Sequence, residues 1–159
     1  MKEIVFDYFP LICAIVGWAL AQLLKPIMHY FIAKEFKASL IVSSGGLPSS
    51  HSAAICALTL AVGIVNNFHS TLFCVTVVIA SIICYDAANV RYYAGQNISL
   101  TKRLITDLKT VFALNLKDPI YEKKMKEVLG HTYFEVFAGI ITGFSTTGIL
   151  YLIYRGIYG

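Results

Sequence analysis

Tyr8 to Ile32, YFPLICAIVGWALAQLLKPIMHYFI, contains one formally charged side chain, Lys25, in 25 residues. At 1.5 Å per residue such a helix reaches roughly 37 Å, enough to cross a hydrocarbon core of roughly 30 Å. A helix also satisfies its own backbone polar groups, which lipid cannot do. This stretch is therefore predicted to be a first membrane helix, with a kink expected at Pro26. The chain start does not have the form of a cleaved signal peptide, because Glu3 and Asp7 precede the apolar run and that run continues past Lys25.

Three more apolar runs follow. The second begins near Pro48 and stays apolar from Ala53 to Val65, which is short for a full crossing. It is expected either to start below the headgroups or to be shielded by its neighbours. After the polar turn Asn66 to Ser70, the third runs from Thr71 to Tyr85 and leads into the polar stretch Asp86 to Arg91. The fourth extends from Phe134 to about Tyr154. In the long connection before it, Leu100, Leu104, Leu108 and Val111 recur at helical spacing, with Lys102, Arg103 and Lys109 on other faces. That segment is expected either to lie on the membrane surface or to pack its apolar stripe against the protein. The expected fold is all-α: one integral membrane domain over residues 1–159, with about four transmembrane helices and a surface helix in the third connection.

Composition agrees with a bilayer setting. The chain is 57% hydrophobic and only 14% charged, well under the ~25% of soluble domains. The four cysteines, Cys13, Cys56, Cys74 and Cys84, lie inside apolar runs without C-x-x-C spacing, and so read as small core residues. The net charge of +4 is unevenly distributed, with Lys34 and Lys37 in the first connection and Lys102, Arg103, Lys109, Lys117, Lys123, Lys124 and Lys126 in the third. This is a topology signal and not a nucleic-acid footprint. By the positive-inside rule both connections face the cytoplasm, and both chain ends face outward.

Alternating spans then bring six unusual polar residues to the cytoplasmic side. They are Lys25, His51, Asp86, Arg91, His131 and Glu135. Ionisable groups at membrane depth cost roughly 2.5 to 3.5 kcal/mol each on insertion scales, so their convergence asks for a functional reason. Taken singly, each has a plainer alternative, such as a lysine that snorkels to the interface. Gln22, Lys25 and His29 share one helical stripe, while His29 and His69 are read as bystanders.

The stretch Ser43 to Ser52, SSGGLPSSHS, is the most specific. Gly45 and Gly46 permit close backbone approach, Pro48 suits a first helical turn, and Ser49 and Ser50 offer hydroxyls and N–H groups where a helix begins. This describes an anion site beside His51, though a glycine-rich loop with a serine cap would look the same. His131 and Glu135, four apart, share a helix face, and the carboxylate can orient the imidazole. Alternatively, Glu135 simply favours the helix N-terminus. Arg91 presents a planar fork of donors suited to phosphate, with Asp86 and Asn89 beside it in sequence.

Gly45 to Ala53 (G-G-x-P-S-S-H-S-A), Tyr85 to Arg91 (Y-D-A-x-x-V-R) and Gly130 to Val136 (G-H-T-x-x-E-V) together resemble the divergent bacterial branch of the type 2 phosphatidic acid phosphatase superfamily. Their order and the apolar runs between them cover most of the chain. In the wider superfamily the first motif has a lysine and an arginine, the second reads P-S-G-H, and the third is an arginine followed by H-x-x-x-D. Lys25 looks like the first-motif lysine, Pro48 to His51 resembles the second motif, and His131 to Glu135 resembles the third with Glu in place of Asp. Ser50 stands where the glycine is usual, and neither family arginine has a counterpart at its spacing. Arg91 could supply a missing guanidinium from a different helix. The wider superfamily uses six membrane helices, so a smaller core or a homo-oligomer must complete this bundle.

The resemblance implies a cofactor-free, metal-independent lipid-phosphate phosphatase that works through a phosphohistidine. His131 would be the nucleophile, Glu135 its orienting partner and His51 the acid for the leaving alkoxide. Lys25, Gly46, Ser49, Ser50 and Arg91 would hold the phosphate, supported by Asp86 and Asn89. The expected partners are a phosphorylated membrane lipid and the bilayer. One alternative is a non-catalytic membrane protein that binds or moves such a lipid. Another makes Asp86 and Glu135 metal ligands, against which the lack of H-E-x-x-H or D-x-D spacing counts.

Overall fold

The computed structural model describes residues 6–43, 45–111 and 133–158, and they form α-helices with no strand among them. Helix α1 spans Phe9–Ala33, α2 Ser50–Asn66, α3 Thr71–Ala88, α4 Val90–Val111 and α5 Tyr133–Tyr158, with a short 3-10 turn at Ala38–Val42. Helices α1, α3 and α5 are long and apolar enough to cross a membrane, whereas α2 has 17 residues. The helical rise gives α2 about 25 Å, short of a ~30 Å core.

Its neighbours make up the difference. Helix α2 packs against α1, α3 and α5, and it buries Ala53, Cys56, Ala57, Ala61 and Val62. This central position meets the expectation that the short segment is shielded. Small residues allow the close approach. A Cβ added to Gly139 would stand 2.5 Å from the Ser49 carbonyl oxygen, and one on Gly143 would collide with the Ala53 carbonyl oxygen. On the other side, a Cβ on Gly17 would come within 3.0 Å of the Ala57 Cβ. Helices in lipid gain association energy from such close packing because no hydrophobic force separates them from the tails. Thr147 adds a buried hydrogen bond, donating to the Ala57 carbonyl at 3.0 Å.

The large apolar side chains point outward. Leu11, Ile15, Trp18, Val78, Ile82 and Leu152 are exposed, an arrangement suited to lipid and costly in water. Pro26 lies inside a helix whose assignment runs unbroken from Phe9 to Ala33. Pro48 precedes the helix that it was expected to open, because Ser49 takes the N-cap position and accepts from the Ser52 N–H.

Helix α3 ends at Ala88 and α4 starts at Val90, so the polar stretch after the third span is helical on both sides of Asn89. Leu100 and Leu104 of α4 are 67% and 57% exposed, so the stripe does not pack onto the described part of the protein.

Candidate functional site

Three contacts gather the polar helix ends at one end of the bundle. Lys25 Nζ, late in α1, donates to the Ser43 carbonyl at 2.7 Å. The Ser49 N–H, capping α2, donates to the Glu135 carbonyl in the first turn of α5 at 3.0 Å. The Tyr133 hydroxyl donates to Asn89 Oδ1 at 2.7 Å, joining the end of α3 to the start of α5. The alternation of spans inferred from hydropathy thus brings C-terminal ends of α1 and α3 beside N-terminal ends of α2 and α5.

Lys25 lies at the centre of this cluster. It is 1% exposed, while the other fully buried side chains of the described residues are small and neutral. An ammonium so placed needs partners, and it has the Ser43 carbonyl and the Glu135 carboxylate, whose charge acts on it. Gly46 lies over its aliphatic stem, with φ at +97°, a conformation that L side chains rarely adopt. The glycine therefore serves both the turn and the approach to the lysine.

The two serines of the loop differ in their engagements. Ser49 is fully buried, and its hydroxyl accepts from the Ser52 N–H at 3.4 Å and from the Ser52 hydroxyl at 3.1 Å. Its polar atoms are taken up in capping α2 and clamping α5. Ser50 is 1% exposed, yet among the described residues its Oγ has no hydrogen-bond partner, and the same is true of Gln22 Oε1. A buried polar atom without a partner costs about 1 to 3 kcal/mol, which a ligand at that position can recover. His51, half-buried, occupies the next position of the same first turn.

The other expected residues fall as follows. Asn89 caps α3 and bonds Tyr133, and Asp86 lies half-buried one turn earlier. Arg91 falls in the first turn of α4, its side chain outside the described residues, and His131 lies outside them altogether. His29, one turn beyond Lys25 on α1, contacts the Glu35 carbonyl, and His69 contacts Asn67 in the turn between α2 and α3. Among the described residues, no three histidine, cysteine, aspartate or glutamate side chains converge as metal ligands.

Sequence reasoning missed Ser43, Ser52 and Tyr133 as the groups that tie the cluster together. Backbone carbonyls and capping hydroxyls leave no pattern of their own. The glycines on which α5 approaches α2 did leave one, the G-x-x-x-G of Gly139 and Gly143.

Residues 6–146 match a family described as the Divergent PAP2 family. The chain is also 36% identical over 148 residues to the uncharacterized membrane protein YuiD of Bacillus subtilis (strain 168), covering 89% of this chain and 93% of that one. No solved structure matches it.

Proposed function

The chain belongs to the Divergent PAP2 family, and from that premise we propose that it hydrolyses a lipid phosphomonoester at the membrane interface. The observation that carries this proposal is the buried cation Lys25, which shares one end of the bundle with the unpartnered Ser50 hydroxyl at the start of α2. A buried ammonium, a helix N-terminus and an orphan hydroxyl together suit a phosphate dianion.

In the proposed reaction a ring nitrogen of His131 attacks phosphorus, and the bond from phosphorus to the lipid alkoxide breaks. His51 gives the alkoxide a proton, and Glu135 orients His131 and stabilises its positive form. Water then attacks the phosphohistidine and gives a proton back to His51, the phosphorus–nitrogen bond breaks, and inorganic phosphate leaves. Lys25, Gly46, Ser50 and Arg91 stabilise the charge on the equatorial oxygens. Ser49, Asp86 and Asn89 position these groups. The excess of lysine and arginine in the first and third connections supports a cytoplasmic site.

The departures from the wider superfamily, with Ser50 for glycine and no arginine at the family spacings, favour one other reading, in which the pocket binds or moves a phosphorylated lipid without turnover. Phosphate release separates the two. Wild type and His131→Ala, purified in detergent, are assayed on phosphatidic acid, phosphatidylglycerol phosphate and polyprenyl phosphate, with and without EDTA. Release by wild type alone, unaffected by EDTA, is the expected result. No release from any lipid ends the hydrolytic proposal, and equal release by both proteins removes His131 as nucleophile.

A further inference from the structure

A second feature begins where the polar cluster ends. Helix α3 packs on α2 but only lightly on α5, and the gap between the three helices is a cavity of about 380 Å³. Its inner end is formed by Cys84 and Ile140, its wall by Val77 and Ala80, and its far end by Phe68 and Phe73. The two hydroxyls that line it, from Thr59 and Ser81, donate to carbonyls of their own helices, at Ile55 and Val77. The groove therefore offers a ligand almost nothing but hydrocarbon.

Three observations say what fits it. The groove begins one helical turn from the polar cluster, because Cys56, which lines it, follows Ser52 by four residues on α2, and the Ser52 hydroxyl donates to Ser49 at the cap of that helix. Eleven residues of α3 separate Phe73 from Cys84, so the groove is about 16 Å long by the helical rise, close to half of a ~30 Å hydrocarbon core. Two phenylalanine rings also stand at its far end. Phe68 and Phe73 meet edge to face with centroids 5.2 Å apart, and Phe68 packs so tightly on Gly63 that an added Cβ there would stand 2.5 Å from the ring.

We infer that this groove seats one hydrocarbon chain of the phosphorylated lipid, and that Phe68 and Phe73 set the chain length the site accepts. The inference rests on the reading that the polar cluster holds a lipid phosphate, and it adds which part of the lipid is selected and by which residues. Burial of each methylene strengthens binding about fourfold, so the match of chain to groove governs affinity.

The test does not depend on turnover. The full chain is reconstituted in phosphatidylcholine vesicles with phosphatidic acid carrying a diazirine at the middle or at the end of one acyl chain, then irradiated and mapped. The mid-chain probe should label Val77 and Ala80, and the chain-end probe Phe68 and Phe73. A phosphatidylcholine probe should label the outward faces evenly. Against unlabelled phosphatidic acids of graded length, Phe73→Ala should shift the best competitor to longer chains and Ala80→Phe to shorter ones, each by about fourfold in competition. Opposite shifts cannot both come from misfolding, and the labelling order in wild type decides alone if either variant fails to assemble. Even labelling of Leu11, Ile15, Ile149 and Leu152 by phosphatidic acid, or unshifted competition in both variants, overturns the inference. Ordered labelling without phosphate release leaves the groove standing and ends only the hydrolytic reading.

Discussion

Ser49 and Ser50 are adjacent and equally buried, but their hydroxyls face different demands. Ser49 caps α2 and is bonded twice to Ser52, so Ser49→Ala should lower stability by about 1 kcal/mol, the usual value of a serine cap. Ser50 has no partner for its Oγ among the described residues, so Ser50→Ala should leave the unfolding midpoint unchanged or slightly raised while weakening phosphate binding. Thermal unfolding and phosphate release on the same two preparations check both, and a Ser50→Ala protein that loses stability like Ser49→Ala would refute the distinction. Lys25→Met keeps the aliphatic stem under Gly46 and removes the charge. Loss of one preorganised donor at a developing oxyanion costs on the order of 100-fold in rate, and that is the loss expected in phosphate release with the helical fold retained. At this scale the sequence made Lys25, Gly46 and the serine loop legible as residues that belong together, because an ionisable residue in an apolar run and a glycine pair before a helix are both unusual. It did not separate the two serines, since which hydroxyl caps the helix depends on where the first turn begins.

Among the elements, α2 is the one whose behaviour hydropathy alone could not decide. Its run is too short for the bilayer, and it persists because glycines on α1 and α5 let it sit deep between them. Gly143→Ala would drive a methyl group into the backbone of α2 and should cost about 1 to 3 kcal/mol. Gly148→Ala, on the same helix with nothing within 4 Å of an added Cβ, should be neutral or stabilising by up to about 1 kcal/mol. Comparable losses in the two variants, read by thermal unfolding in detergent, would show that close packing on α2 is not what holds α5. The three long spans were readable to within a few residues because an apolar run of that length has few alternatives in a protein. Helix α4 was read only from Leu100 onward, yet it extends from Val90. Its first half carries Tyr93, Gly95, Gln96 and Asn97, residues without the leucine periodicity that marks the second.

For the whole molecule, the alternation of helix directions places the polar ends of α1, α2, α3 and α5 together, and the proposed orientation of that end toward the cytoplasm rests on the lysine-rich connections. In a cysteine-free background, a cysteine at Asn67 should react with a membrane-impermeant thiol reagent in intact cells, and one at Lys124 should react only after lysis. Preferential labelling at Lys124 would reverse the orientation while leaving the cluster intact. The claim on which function depends is narrower: side chains from separate helices act on one anion. Vanadate, which mimics five-coordinate phosphorus, tests it most directly by equilibrium binding to the detergent-purified protein. One vanadate should bind per chain, and Lys25→Met on α1, His51→Ala on α2 and His131→Ala should each weaken it by about tenfold or more. Undiminished binding by the Lys25 and His51 variants would contradict a shared pocket.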